Sequence, residues 1–278
     1  MIPPAAGPPA GAAFLTVDRI AGASAVTSAR CHQPAKLLVP VPRGPSVWAC
    51  TSSFGGGLVA GDQTRLEIRL GPGTSCYVGS QASTKIYRTP PDRPSTHATV
   101  ARLGPEALLV FSPDPVQPFA GASYTQSQIF ALDPSANLVL VDCVHAGRSA
   151  RGERWAFHRY QSRNEILVGP ELVFLDSLTL DPADGPLAAP HRLGRFDGLA
   201  SLALVGPALA PHAERLLADI SGRPATRRPD LGVTASPFPH GLLIRLAAVH
   251  TQDLADELRR LLAFLHDLLP DHPWDRKG

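Results

Sequence analysis

Short apolar or alternating runs recur along the chain and are separated by turn signals. Leu66, Ile68 and Leu70 alternate with charged residues, a period of two that is typical of a strand with one buried face. The runs occupy residues 36–39, 47–51, 64–70, 75–79, 107–111, 126–132, 137–144, 172–180, 199–205 and 242–247. Many short strands without alternating helices predict a mainly β protein, a layered multi-strand sheet scaffold.

Two helices are predicted in the C-terminal third, at residues 211–220 and 251–269. The second is the stronger, because leucines repeat every three or four positions from Leu254 to Leu268. Thr251 is the expected N-cap, and Pro270 follows the end of the helix. The amphipathic pattern favours packing against the sheet over docking onto a partner protein.

The segment at residues 223–239 is rich in proline and arginine, which predicts a loop. Its basic residues offer a contact for an acidic partner, although a solvated loop is the favoured interpretation.

Length and composition allow one extended globular domain or two smaller ones, and no boundary for a second domain is evident. The chain has 278 residues, of which 44% are hydrophobic. A flexible Pro/Ala/Gly tail is predicted at residues 1–13 and a single β-rich domain at 14–278. No apolar run is long enough to cross a bilayer and the tail lacks a basic start, so a cytoplasmic protein without membrane contact is expected. The net charge of +2 gives no reason to expect a nucleic-acid partner.

The four cysteines do not form a Cys-x-x-Cys pair. Reduced thiols are therefore expected, without a disulfide framework or a structural zinc site. No Gly-x-Ser-x-Gly elbow or His-Glu-x-x-His motif is present either, so the sequence gives no sign of a catalytic triad or a closed zinc site. Cys143 and His145 would share one face of a strand and could hold a soft divalent ion, but core packing is favoured.

Two short segments that are rich in glycine or polar residues, called the first and second signatures, flank a pattern that resembles one hairpin. The first, at residues 54–62, contains three consecutive glycines, and the second occupies residues 81–88. Between them, residues 64–70 and 75–78 are predicted to pair around a Gly-Pro-Gly turn. A phosphate loop would require Lys-Ser/Thr and a helix after the last glycine, whereas Gly61 is followed by Asp62 and a strand. A structural turn is therefore favoured.

Three carboxylates are the candidates for charge chemistry: Asp62, Asp142 and Glu153. Asp142 closes an apolar run, and burying a carboxylate is unfavourable unless it is paired or binds a cation. Pairing with Arg88 or Arg148 is the favoured interpretation, and a hydrated cation path is the functional alternative. Such a path would offer sparse oxygen ligands, because a full cage would retain the ion.

Several motifs, in order along the chain, resemble those of the urease accessory protein family called UreD or UreH. The resemblance spans about residues 31–180 and is weaker beyond them. It includes the Ser-Pro-Asp-Pro-Val-Gln-Pro-Phe segment at 112–119 and the Leu-Val-Leu-Val-Asp segment at 138–142. The residues that match the family's first signature are Gly55, Gly56, Gly57, Gly61 and Asp62. Those that match the second are Gln81, Thr84, Lys85, Tyr87 and Arg88. A third signature is matched by Asp142, Gly147, Arg148, Gly152 and Glu153.

The resemblance implies a maturation scaffold and metallochaperone, not an enzyme. It implies that the chain binds apo-urease, assembles with the accessory proteins F and G, of which G is a GTPase, and helps to deliver nickel through an internal water-filled tunnel. Asp62, Asp142 and Glu153 are then candidates for the nickel path, with Asp62 the first choice. The expected cofactor state is transient Ni²⁺ with nothing tightly bound.

Two other functions remain open. A metal-dependent hydrolase on a β scaffold predicts three or more ligands in one pocket with an open coordination position. A metal-free protein-binding β module predicts carboxylates saturated by arginines and no continuous polar channel.

Overall fold

The computed structural model describes residues 9–41, 44–90 and 92–269. The strands, in chain order, are β1 (Ala12–Ile20), β2 (Ala23–Cys31), β3 (Ala35–Leu38), β4 (Val47–Ser53), β5 (Gln63–Leu70), β6 (Ser75–Ser80), β7 (Thr84–Ile86), β8 (Ser95–Leu103), β9 (Leu108–Phe111), β10 (Val116–Pro118), β11 (Ser123–Leu132), β12 (Asn137–His145), β13 (Gly147–Arg148), β14 (Glu153–Arg154), β15 (Arg159–Val168), β16 (Glu171–Leu180), β17 (Gly198–Val205), β18 (Leu231–Phe238) and β19 (Gly241–Ala248). The helices are α1 (Ala210–Ser221), α2 (Thr251–Leu261) and α3 (Leu265–Leu268). The mainly β prediction is confirmed.

Two large sheets lie face to face. The first has seven strands in the order β16-β15-β11-β8-β5-β1-β2. The second follows the path β18-β19-β17-β12-β9-β6-β4-β3, with β10 and β7 added beside β12. From β4 to β12 the longer strands alternate between the sheets, so each sheet has a parallel centre. A parallel pair needs a crossover connection, and here a strand of the opposite sheet supplies it.

The predicted hairpin is wrong. β5 pairs with β1 and β8 in the first sheet, whereas β6 pairs with β4 and β9 in the second. The Gly71–Gly73 turn therefore carries the chain across the core to the opposite sheet. Alternation in β5 correctly indicates one buried face, but a local pattern does not specify the strand that pairs with it.

Some predicted boundaries also need correction. Of the predicted tail, residues 1–8 lie outside the described residues, and Ala12 and Ala13 are buried in β1. The chain therefore joins the sheet before residue 14: Ala12 and Ala13 pair with Arg65 and Leu66 of β5, and Ala13 lies in the core between the sheets. The predicted loop at residues 223–239 contains β18, since pairing with β19 satisfies its backbone despite the prolines.

Both predicted helices are present, but the second is interrupted. α2 ends at Leu261, and the next turns use hydrogen bonds that span three residues instead of four. This tighter path places Leu262 and Leu265 in the buried cluster beneath the helices. The N-cap is His250, which makes no side-chain capping bond, so the assignment of Thr251 as N-cap is wrong.

β12 is buried on both faces because it lies between two apolar clusters. Leu138 and Leu140 face the space between the sheets, whereas Val139 and Val141 face the layer that contains α1 and α2. The two-residue side-chain period therefore directs Asp142 toward the first sheet and Cys143 toward the helices. This geometry sets the position of the candidate site.

Candidate functional site

A row of polar side chains crosses the inner face of the first sheet. Thr64, His97, Gln126 and Ser162 are register partners on the adjacent parallel strands β5, β8, β11 and β15. Four residues further along each strand, the same face carries side chains of the apolar core: Ile68, Ala101, Phe130 and Ile166. The polar row is therefore part of the inner face.

A second polar row lies two residues further along three of these strands. Thr99, Gln128 and Asn164 are register partners and are at most 3% exposed. Gln128 donates from Nε2 to Oδ1 of Asn164 at 2.8 Å. The two rows, together with Asp142 of the facing sheet, are called the polar seam: Thr64, His97, Thr99, Gln126, Gln128, Asp142, Ser162 and Asn164.

Asp142 is held by three neutral donors of the first sheet. Gln126 Nε2 donates to Oδ1 at 2.8 Å, while Ser162 Oγ and Asn164 Nδ2 donate to Oδ2 at 2.5 and 2.8 Å. Burial has the largest effect and raises the pKa of the Asp142 carboxyl. The three hydrogen bonds lower this pKa, and the negative charge of Asp176 raises it. Three neutral donors therefore hold the carboxyl group, and no arginine among the described residues pairs with it, in contrast to the favoured expectation from the sequence.

His97 is a neutral member of the seam. Its Nδ1 lies 2.8 Å from Thr64 Oγ1, and its Nε2 lies 3.0 Å from Thr99 Oγ1. Burial lowers the pKa of His97 to about 4. A neutral imidazole keeps one ring nitrogen as an acceptor, so the seam has no resident positive charge at this position.

Two cavities meet at Asp142. The first has a volume of about 240 Å³ and is lined by His97, Gln126 and Gln128 of the seam. The second has a volume of about 370 Å³ and lies on the side of Asp176. Asp142 and its neighbour Cys143 line both cavities. The carboxylate thus stands where the two spaces adjoin.

The first two signatures form the outer wall of the first cavity. Leu58 donates its N–H to the carbonyl of Lys85 at 2.8 Å and accepts from the N–H of Tyr87 at 2.9 Å. A Cβ on Gly57 would lie 2.6 Å from the Lys85 carbonyl oxygen, so only glycine allows this approach. The residues of these two signatures that line the cavity are Gly56, Leu58, Gln81, Ala82, Ser83, Thr84 and Lys85.

The third signature forms a small hairpin beside this wall. Arg148 contacts Glu153 in a bidentate manner, with Nε–Oε2 and Nη2–Oε1 distances of 2.8 and 2.5 Å. Arg148 also lies over the ring of Phe119 at 4.3 Å, and Phe119 packs edge to face on Tyr87 of the second signature. Arg148 therefore lowers the pKa of Glu153 and links the third signature to the second.

The three predicted carboxylates do not converge. Asp142 lies at the centre of the seam, whereas Asp62 and Glu153 line neither cavity. Asp62 accepts the backbone N–H of Val59 at 2.9 Å and stabilises the turn after the triple glycine. Glu153 accepts hydrogen bonds from the side chain of Arg148 and from the backbone N–H of Ala120. The geometry thus favours Asp142 as the member that can meet a mobile ion.

Cys143 and His145 do share a face, on the side of the helices. Burial raises the pKa of the Cys143 thiol and lowers the pKa of His145 to about 4. Within the described parts of the chain, no group of three or more His, Cys, Asp or Glu side chains is arranged to hold a metal ion. The convergence that a metal-dependent hydrolase requires is therefore not found among those residues.

Of the seam residues, the sequence patterns indicate only Asp142 as a candidate. One signal for the others was present in the sequence: the position of polar residues in the two-residue period of a strand. Each polar residue lies two positions before a buried one and so shares its face: Thr99 before Ala101, Gln128 before Phe130 and Asn164 before Ile166. Polar residues that occupy the apolar phase of several strands predict a polar interior. The sequence patterns do not predict β8 and β15 as strands, so they do not reveal that the polar residues of these segments share the buried face.

No helix within residues 9–41, 44–90 and 92–269 has both the length and the apolar character needed to cross a bilayer.

Comparison with known proteins identifies the family. The family model for the UreD urease accessory protein matches residues 10–276. The chain is 45% identical to urease accessory protein UreD of Sorangium cellulosum (strain So ce56), over 96% of this chain and 84% of that protein. It is 40% identical to urease accessory protein UreD of Anaeromyxobacter sp. (strain Fw109-5), over 98% and 91% of the two chains. It is also 32% identical to urease accessory protein D of Arabidopsis thaliana, over 94% and 98%. The chain therefore belongs to the UreD family of urease accessory proteins, and its role lies in urease maturation.

Proposed function

We propose that this chain is a non-catalytic cytoplasmic scaffold that binds apo-urease, recruits the accessory proteins F and G, and lets Ni²⁺ pass along the polar seam. The observation that carries the proposal is the position of Asp142, a carboxylate that borders both cavities and is held by neutral donors. Family membership supports the urease partner, and the seam supports the nickel step.

The chemistry of the seam suits an ion in transit. Its groups are hydroxyls, amides, one neutral imidazole and one carboxylate, which can replace some of the water around a divalent cation. A single carboxylate attracts the ion but cannot form a closed cage, so release remains possible. Ni²⁺ is cargo that the chain hands on.

The two alternative functions, a metal-dependent hydrolase and a metal-free binding module, each require a different arrangement of carboxylates. A hydrolase requires several convergent ligands, whereas Asp142 is the one carboxylate among the seam residues. A metal-free binding module requires carboxylates saturated by arginines, as Glu153 is by Arg148. Asp142 departs from that pattern, because all three of its side-chain partners are neutral.

Reconstitution of urease activation tests the proposal. The chain, apo-urease, F, G, GTP and limiting Ni²⁺ would be combined, with Asp142→Asn compared against wild type. Asp142→Asn keeps the side-chain size and removes the charge. Activation at limiting nickel is expected to fall by about tenfold or more, the scale on which loss of one supporting group acts at metal sites. Asp184→Asn removes an exposed carboxylate outside the seam and is the matched control.

Co-purification separates the two parts of the proposal. Wild type and Asp142→Asn are both expected to bring down F, G and apo-urease. Normal activation by a folded Asp142→Asn chain at limiting nickel would exclude the seam as the nickel path. Failure of the wild-type chain to bring down its partners would exclude the scaffold.

A further inference from the structure

An arginine-lined groove lies outside the polar seam. Its volume is about 980 Å³, and four of its ten lining residues are arginines: Arg154, Arg192, Arg195 and Arg228. The other lining residues are alanine, glycine, leucine, phenylalanine and proline, so no carboxylate of the described residues lines the groove. These residues are called the arginine groove.

The four guanidinium groups are only partly neutralised. Arg154 pairs with Asp197, and Arg195 pairs with Asp230. Arg192 donates to backbone carbonyls of the segment after β16, which fixes its position without cancelling its charge. The groove therefore keeps an excess of positive charge next to an apolar floor.

Arg228 stands at the exposed side of the groove in an unusual conformation. Its φ angle is +62°, in the left-handed region that non-glycine residues seldom adopt. Arg195 donates to the Arg228 carbonyl and holds this conformation. Among the described residues, no carboxylate pairs with the Arg228 side chain. Backbone strain of this kind is retained where surrounding contacts fix it, and it often marks a binding position.

We propose that the arginine groove binds an extended acidic segment of a partner protein. Carboxylates of that segment would pair with Arg228 and Arg192, since a guanidinium fits a carboxylate in a bidentate manner. Apolar side chains of the segment would lie on Leu193 and Phe196. The apolar floor and the chain's net charge of only +2 favour a peptide over a polyanion such as a nucleic acid.

The groove adjoins the second cavity through Phe196, which lines both. An acidic segment seated there would lie beside the space that Asp142 borders. The binding chemistry itself does not depend on passage of nickel, so the two proposals can fail separately.

Fluorescence anisotropy with a labelled Glu/Leu decapeptide tests the groove, using the full chain and a Gln/Leu decapeptide for comparison. Only the Glu peptide is expected to bind, and added salt should weaken binding through screening. Arg228→Glu is expected to lower the affinity about fivefold or more, because it replaces an exposed favourable pair by a repulsive one. Arg227→Glu reverses the same charge at an exposed neighbour that does not line the groove, so its effect should be clearly smaller than that of Arg228→Glu.

Arg228→Gly provides the second variant. Glycine accepts the left-handed backbone, so the loop is expected to keep its shape while affinity for the Glu peptide still falls. Equal binding of the Glu and Gln peptides, or equal losses for Arg227→Glu and Arg228→Glu, would overturn the proposal. Tighter Arg228-dependent binding of a labelled oligonucleotide than of the Glu peptide would overturn the assignment to a protein segment. Peptide binding by Asp142→Asn should match wild type.

Discussion

Arg245 of β19 donates from Nη2 to Oδ1 of Asp176 on β16 at 2.8 Å, and this ion pair bridges the two sheets beside the second cavity, which both residues line. The Asp176 side chain is 12% exposed, whereas Arg245 is 55% exposed. Asp176 is the register partner of Asn164, which donates to Asp142. The pair therefore connects the surface of the sandwich to the polar seam.

A double-mutant cycle on this pair should give a modest coupling. Arg245→Gln, Asp176→Asn and the double variant would be compared with wild type by urea denaturation. Because Arg245 is mostly solvated, the expected coupling is about 0.2–1 kcal/mol. The coupling should decrease at high salt. A coupling that is zero at low salt would mean that the pair does not hold the sheets together.

His97 should make the fold sensitive to mild acid. Its pKa is lowered from 6.5 to about 4 by burial, so the protonated form is disfavoured in the folded state. Its contribution to stability is complete above the unfolded pKa of 6.5 and is lost as the pH falls toward 4. Within that window the loss is at most about 1.4 kcal/mol per pH unit.

Denaturation of His97→Gln between these two pH values would measure this effect. The variant cannot take up the proton, so its free energy of unfolding should vary less with pH than that of wild type. His158→Gln, at an exposed position outside the seam, should retain the wild-type slope. Parallel profiles for wild type and His97→Gln would show that the imidazole is not excluded from protonation in the fold.

Gly57 should not tolerate a methyl group. In Gly57→Ala the new Cβ would meet the Lys85 carbonyl oxygen and the Tyr87 ring, both at 2.6 Å. Separation of the first two signatures should destabilise the fold by about 1–3 kcal/mol, as overpacking does elsewhere. Gly55→Asn is the control, because Gly55 has a φ of +83° with open space around it and asparagine tolerates that region. A stable Gly57→Ala chain would mean that the close approach is not needed.

Leu254 should anchor α2 on the second sheet. It is 1% exposed and packs in the apolar cluster beneath the helices. Leu254→Ala should lower the free energy of unfolding by about 2–5 kcal/mol through lost burial and an unfilled cavity. Gln252→Ala, at an exposed position on the same helix, should change it by less than about 0.5 kcal/mol. Comparable losses for both variants would indicate a general weakening of the helix.

The sequence by itself determined the elements with strong local patterns. The alternation in β5, the apolar runs of β9 and β12, and the leucine repeat of α2 each follow from burial of one face or both. The ordered signatures also led to the correct family. The weaker strands β1, β2, β8, β15 and β18 were missed because polar, small or proline residues interrupt their apolar phase.

Only the tertiary structure decided how these elements pair and what they enclose. β5 and β6 are adjacent in sequence yet lie in opposite sheets, because strand pairing depends on contacts between distant segments. The same arrangement brings Gln126, Ser162 and Asn164 to Asp142. Asp62, the first choice from the sequence, and Glu153 make local hydrogen bonds instead. A carboxylate's environment is set by the donors and cavities around it, and residues remote in the chain supply both.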